Sequence, residues 1–266
     1  MRYVCAILLL CASCVSADEL VYGKARGHTN ALTPNIFDMN SRLDATIERD
    51  TVFWMTFPHD EGTNWWDFSR SSYDGTSIST PTWATNGGGS LFCDYTSSES
   101  VNIGDMAAID GQAKFSIVAW VNSVNNTGAR ALVTKDNIGT ARGIALYADN
   151  GVWSFQVNLD QANYAQIVYN AAGLITNWVH VAAVFDGTAG ATNTQIFLYN
   201  NGISSTAVGR GMPIAQVTNN SLNLLVGDFT GTVVANIGLN GYVRGLMIIT
   251  NALTSNQVWA LYQRGY

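Results

Sequence analysis

The chain has 266 residues, a formal net charge of −6 and only 12% charged side chains, so Asn, Thr, Ser and Gly supply most of its polarity. An acidic chain whose lysines are Lys24, Lys114 and Lys135 is a poor electrostatic partner for nucleic acid or anionic lipid. After the first residues no stretch is long and apolar enough for a membrane helix, which argues against membrane insertion once a leader is removed.

Residues 1–17 read as a signal peptide. Arg2 supplies the positive region, Val4 to Leu10 the short apolar one, and Val15-Ser16-Ala17 the small-residue cleavage site, so a secreted chain would begin at Asp18. Cys14, after Cys11-Ala12-Ser13, resembles a bacterial lipobox with the wrong residue three places earlier; used, it would give a lipid-anchored protein. Residues 18–50 form an N-terminal arm or linker. Thr33-Pro34 followed by Ile36, Phe37, Met39, Leu43 and Ile47 gives helical spacing, against an extended reading favoured by Gly23, Gly27 and Pro34.

Strand signals start at Thr51 to Phe57, stopped by Pro58. A long polar loop follows, carrying Trp65, Trp66, Tyr73 and Trp83 beside Asn64, Asp67 and Asn86. Ser90 to Asp94, Ser100 to Ile103, Phe115 to Asn122, Ala131 to Thr134, Gly143 to Ala148, Val152 to Asn158 and Gln166 to Tyr169 are predicted strands, with a hairpin turn at Asp149-Asn150-Gly151. Trp178 to Phe185 is the strongest strand; Gln195 to Tyr199, Leu222 to Val226 and Gly241 to Ile249 complete the series. Thr254 and Gln257 form a capping box for a helix over 255–263 with Gly265 as its stop. Many short strands, Gly/Asn turns and one terminal helix predict an all-β, two-sheet antiparallel jelly-roll sandwich over residues 51–266, without a linker.

Several pieces in this order resemble the laminin-G-like, concanavalin-A-like jelly-roll family: Trp54 to Phe57, Asp67-Phe68-Ser69, Asp74-Gly75-Thr76, Gly89 to Phe92, Phe115 to Val121, Trp178 to Ala182, Phe185 to Gly187, Tyr199 to Gly202, Val226-Gly227, Gly241 to Ile248 and Ala252 to Thr254. The resemblance implies a scaffold whose members bind glycans, matrix proteins or steroids, so function has to come from the site. The family's closing strand carries an acid that can help hold a structural calcium; here Arg244 stands there and would repel the ion. Asp67, Asp74 and Asp94 remain as oxygen ligands for Ca2+, against the plainer reading as caps and Asx turns.

Catalysis of the concanavalin type needs Glu and Asp alternating on one strand, about 5 Å apart on one face. Beyond the leader the glutamates are Glu19, Glu48, Glu61 and Glu99, and none has an acid two residues away in a strand pattern. His180 lies within a strand and suits a structural role; His59-Asp60-Glu61 suits a turn, with a metal or acid–base site as its sharper reading. Cys93 is the lone cysteine beyond the leader, a buried thiol or an intermolecular disulfide. Sugars are recognised by aromatic faces with neighbouring amides and carboxylates. Trp54, Trp120 and Trp178 are expected in the core, with Trp259 docking the helix. Trp65, Trp66, Tyr73 and Trp83 are the ligand-binding candidates, unless they pack the loop down, and Trp153 and Tyr164 are weaker ones. Asn125 and Asn219 begin glycosylation sequons. The expectation is a secreted, non-catalytic module that binds glycan or a surface polymer; the alternative is a structural or adhesive surface protein with protein partners.

Overall fold

The structure is a computed structural model, and it describes residues 44–55, 64–84, 89–125, 127–137, 141–158, 163–169, 177–207, 209–229 and 237–265. The leader, Cys14, the start of the arm and the His59 cluster lie outside the described residues. The chain divides into two units, residues 1–48 and 49–266. In the arm a short helix, α1 (Ala45–Asp50), is started by Asp44, whose Oδ1 accepts from the Thr46 N–H at 2.8 Å.

The second unit carries, in chain order, β1 (Thr51–Met55), β2 (Asn64–Trp65), β3 (Gly75–Ile78), β4 (Thr82–Ala84), β5 (Ser90–Cys93), β6 (Ser100–Gly104), β7 (Lys114–Ser123), β8 (Ala129–Asn137), β9 (Ala141–Asp149), β10 (Val152–Asn158), β11 (Tyr164–Val168), β12 (Val179–Asp186), α2 (Thr192–Gln195), β13 (Ile196–Asn200), β14 (Ile203–Ser204), β15 (Arg210–Gly211), β16 (Leu224–Val226), β17 (Gly241–Ile249) and α3 (Ser255–Arg264). The first sheet is ordered β14-β13-β12-β7-β17-β5-β4, with β1 also on β17; the second is ordered β15-β11-β10-β9-β8-β16-β6-β3-β2. Every strand pairing in the ladders is antiparallel. The all-β jelly-roll sandwich with its C-terminal helix is therefore the fold.

Alternation sets the layers. In β7, Phe115, Ile117, Ala119 and Val121 point inward; in β10, Trp153, Phe155 and Val157 do so from the other sheet. Phe115 stands edge-on to Phe155 across the sandwich, ring centroids 5.8 Å apart, and lies 5.6 Å from Phe185. The hairpin between β9 and β10 turns on Asn150 and Gly151, both at positive φ (47° and 80°), the conformation that a two-residue hairpin demands. Residues 64–84 depart from the sequence expectation of a long loop: they supply β2 and β3 to one sheet and β4 to the other. Two to four residues of Asn, Thr, Ser and Gly carry no readable hydrophobic period, and the ladder of the neighbouring strand makes them extended.

Helix α3 lies on the outer face of the first sheet, with Val258 and Leu261 buried and the Tyr199 hydroxyl 3.1 Å from Ser255 Oγ. Its capping box is present: the Gln257 N–H donates to Thr254 Oγ1 (3.3 Å) and the Thr254 N–H donates to Gln257 Oε1 (2.9 Å). Trp259 docks on the β13–β14 turn, where Gly202 has φ 77° and a Cβ would come within 2.6 Å of the indole. Replacing Thr254 by Ala should lower unfolding free energy by about 1 kcal/mol, read as a shift of the urea midpoint at unchanged slope.

Candidate functional site

The loop aromatics do not build the platform expected of them. Trp65 is 7% exposed and belongs to the core, its indole N–H donating to Ser77 Oγ at 2.8 Å. Tyr73 and Trp83 pack against the same core, and Trp66 is half-buried. The cause is β2–β4: once this segment joins both sheets, its large side chains close the end of the sandwich. Trp153, at 2% exposure, is likewise core.

The aspartates named for calcium are engaged as backbone organisers. Asp67 is 1% exposed. Its Oδ1 accepts from the N–H groups of Trp54 (2.9 Å) and Ser69 (2.7 Å), and its Oδ2 from the Tyr73 N–H (2.9 Å) and the Ser69 hydroxyl (2.8 Å). Asp74 Oδ1 accepts from the Asp67 N–H at 2.9 Å. Asp94 caps a 3-10 turn, accepting from the N–H and hydroxyl of Thr96 at 2.9 and 2.8 Å. Among the described residues no group of three His, Cys, Asp or Glu is placed to hold a metal. Arg244 has a packing role: its guanidinium lies 5.1 Å from the ring centre of Trp120 and 4.8 Å from that of Trp178.

Trp120 and Trp178 are accordingly half-buried on the outer face of the first sheet, not in its core, whereas Trp54 is buried at 4% exposure. With Phe92, Tyr242 and Tyr262 they make an aromatic band; Phe92–Tyr242, Tyr242–Trp178 and Trp120–Tyr262 centroids are 4.9, 6.3 and 5.7 Å apart. His180 is fully buried beneath it, its ring against Trp120 and Tyr262 and its backbone N–H on Asn201 Oδ1. Cys93 is also fully buried, and burial pushes its thiol pKa up, which sets aside an intermolecular disulfide in the folded chain.

The second sheet's outer face has a different chemistry. The inward set of β9, β10 and β11 includes Leu146, Phe155 and Ile167, so period 2 turns Tyr147, Ser154, Gln156, Tyr164 and Gln166 outward. Gln166 Nε2 donates to Ser154 Oγ (2.9 Å) and to the Tyr147 hydroxyl (3.2 Å), which fixes an amide between a hydroxyl and a phenol. Phe229 packs on Tyr147 with centroids 5.9 Å apart, above buried Ala131 and Ala145. At one end Asn158 Nδ2 donates to Asp136 Oδ2 at 2.7 Å, both residues 3% exposed. At the sheet edge exposed Arg210 pairs in register with Gln166. The face thus offers the half-buried rings and hydroxyls of Tyr147 and Tyr164 and the half-buried amides of Gln156 and Gln166.

Carboxylates are sparse there. The described strands of the second sheet carry Asp136 and Asp149, which sit at opposite ends of the β8–β9 ladder. The strand rise separates them by about 25 Å, too far to flank one glycosidic bond. Sequence reasoning named Tyr164 but missed Gln156, Gln166 and Tyr147. The signal was available in β10, where Ser154, Gln156 and Asn158 alternate with Trp153, Phe155 and Val157.

The architecture is that of a two-sheet antiparallel jelly roll. Residues 94–259 match the family model of the concanavalin A-like lectin/glucanases superfamily, and the chain belongs to that family. No curated protein matches the sequence. Among solved structures, the binding domain of Paraclostridial Mosquitocidal Protein 1 is similar with a TM-score of 0.61 at 14% identity, over 81% of this chain and 52% of that one. The botulinum neurotoxin serotype D binding domain gives 0.59 at 11% identity, over 82% and 52%. A botulinum neurotoxin type C structure, for a toxin whose cell entry depends on interaction with two ganglioside molecules, gives 0.60 at 13% identity over 82% and 52%. The chain spans about half the length of these structures.

Proposed function

We propose that this protein is a secreted, non-catalytic module that binds glycan through the outer face of its second sheet. The observation that carries the reading is the Gln166 amide held between Ser154 and the half-buried Tyr147, whose ring packs on Phe229. Hydroxyl groups of a sugar need paired donors and acceptors in fixed positions, and its C–H faces need aromatic cover. The separation of Asp136 and Asp149 supports binding without hydrolysis, and the ganglioside dependence of the type C toxin supports a glycan as ligand. The leader over residues 1–17 supports export, which N-terminal sequencing of secreted chain starting at Asp18 would test.

The functional test is a glycan array with the full chain, in calcium and in chelator, beside Gln166→Ala and Tyr147→Ala. Each variant should weaken binding by about tenfold or more, the scale of a lost hydrogen bond in a desolvated site, with unchanged circular dichroism. Chelator should leave binding intact, because Asp67 has both carboxylate oxygens on backbone and hydroxyl donors and Asp74 and Asp94 each have Oδ1 so engaged. An array without a hit, or variants that bind as the parent does, would remove this reading. A second reading, attachment to a protein neighbour, is supported by the aromatic band around Trp120, Trp178 and Tyr242 on the opposite face. Loss of cell or matrix adhesion in Trp178→Ala with glycan binding retained would favour it.

A further inference from the structure

Lys135 is an unusual residue for a strand interior. It points inward from β8, opposite Ile144, and its side chain has 0% exposure. Lysine is almost never wholly buried unless paired. Its Nζ lies 2.6 Å from Asp110 Oδ1, 2.9 Å from Asp105 Oδ1 and 3.0 Å from the carbonyl oxygen of Asn220. Asp110 is itself 7% exposed, whereas Asp105 reaches solvent at 43%. The other strand lysine described, Lys114, makes an ordinary surface pair with Asp186, the two side chains 41% and 23% exposed.

We propose that Lys135 and Asp110 are a cross-linking pair that condenses to an intramolecular isopeptide bond, with Asp105 as the group that moves the protons. Three features point this way. Lys135 Nζ lies 2.6 Å from Asp110 Oδ1 with both side chains almost wholly withdrawn from solvent, so the amine and the carboxyl carbon it would attack are neighbours in a site that excludes bulk water. The fold holds nucleophile and carbonyl group in contact, which replaces a bimolecular encounter by a positioned one. A second carboxylate touches the same nitrogen and opens to water, so it can pass a proton and let the product water leave.

The step balances without a co-reactant. Asp105 relays a proton from Lys135 Nζ to Asp110, giving a neutral amine and a carboxylic acid. The nitrogen lone pair adds to Asp110 Cγ, forming the C–N bond. Asp105 takes a proton from that nitrogen and delivers it to a hydroxyl on Cγ. The C–O bond breaks and one water departs. The product is an amide whose remaining N–H faces the Asn220 carbonyl, and nothing is oxidised or reduced. The bond would tie the middle of the second sheet to the segment that leads into β7 of the first. With Cys93 buried and alone among the described residues, this is where the sandwich has a covalent staple within reach.

The test is the intact mass of the purified full chain, denatured. The parent should be lighter than its sequence requires by the mass of one water, and proteolysis should release a branched peptide joining the Asp110 segment to the Lys135 segment. Lys135→Arg, which keeps the cation, and Asp105→Ala, which keeps the Lys135–Asp110 contact, should both show the full uncondensed mass. A parent of full mass with no branched peptide overturns the proposal, and leaves an ion pair. Condensation that persists in Asp105→Ala overturns the role given to Asp105. The parent measurement requires no variant to fold.

Discussion

Replacing Asp67 by Ala should destabilise the domain by about 3–5 kcal/mol, the range for stranding several buried donors at once. One carboxylate gathers the N–H groups of Trp54, Ser69 and Tyr73 and the Ser69 hydroxyl, at 1% exposure. Truncation leaves all four facing a void, and the segment from β2 to β3 loses its anchor on β1. Asp67→Asn is the informative partner: its one acceptor oxygen can serve half the donors while its amide opposes the rest, so about half the loss should return. Urea denaturation followed by tryptophan fluorescence measures both. An Ala variant within about 1 kcal/mol of the parent would mean that water takes over these donors.

Phe115→Ala should cost about 3–5 kcal/mol, the scale for emptying a buried phenylalanine site. Phe115, Phe155 and Phe185 are all 0% exposed and form the aromatic contact between the two sheets. Neighbouring rings from two different sheets cannot collapse into the space without moving a whole strand. Phe115→Leu, which keeps most of the volume, should cost clearly less. Equal losses in the two variants, read from the same denaturation curves, would contradict a cavity as the cause.

How far the sequence carried differs between framework and site. Strands of seven residues or more, such as β7, β10 and β17, were legible because apolar, β-branched and aromatic residues persist along them for long enough to exceed chance. Strands β2, β3, β4, β14 and β15 were not, since their conformation comes from a neighbour's ladder and leaves no periodic mark. Trp65 looked exposed because its neighbours are polar, yet local polarity says nothing about which side of a two-residue strand meets the core. Gln166 and Tyr147 meet only through the register of β10 with β9 and β11. Lys135, in a Val-Thr-Lys-Asp run, gives no hint of its burial, because Asp105, Asp110 and Asn220 come from other parts of the chain. The packing of Arg244 on Trp120 and Trp178, and the engagement of Asp67 with backbone N–H groups, both needed coordinates, because the partners come from distant parts of the chain.

Strand β17 lies between β7 on one side and, on the other, β5 along its first half and β1 along its second. Thr51 opens the strand series and pairs with Ile249, which closes it. The first sheet therefore cannot be completed until the whole of β17 has been made. Among the described strands its earliest has no ladder partner until Leu246 to Ile249 are made, and such long loop closures are the mark of slow folders of high contact order. A stop codon or a frayed end before β17 would not yield a slightly weakened domain; it would leave β1, β5 and β7 with open edges, the surfaces through which β proteins aggregate. The integrity of this sheet is thus decided at β17, where the first and last strands of the series meet.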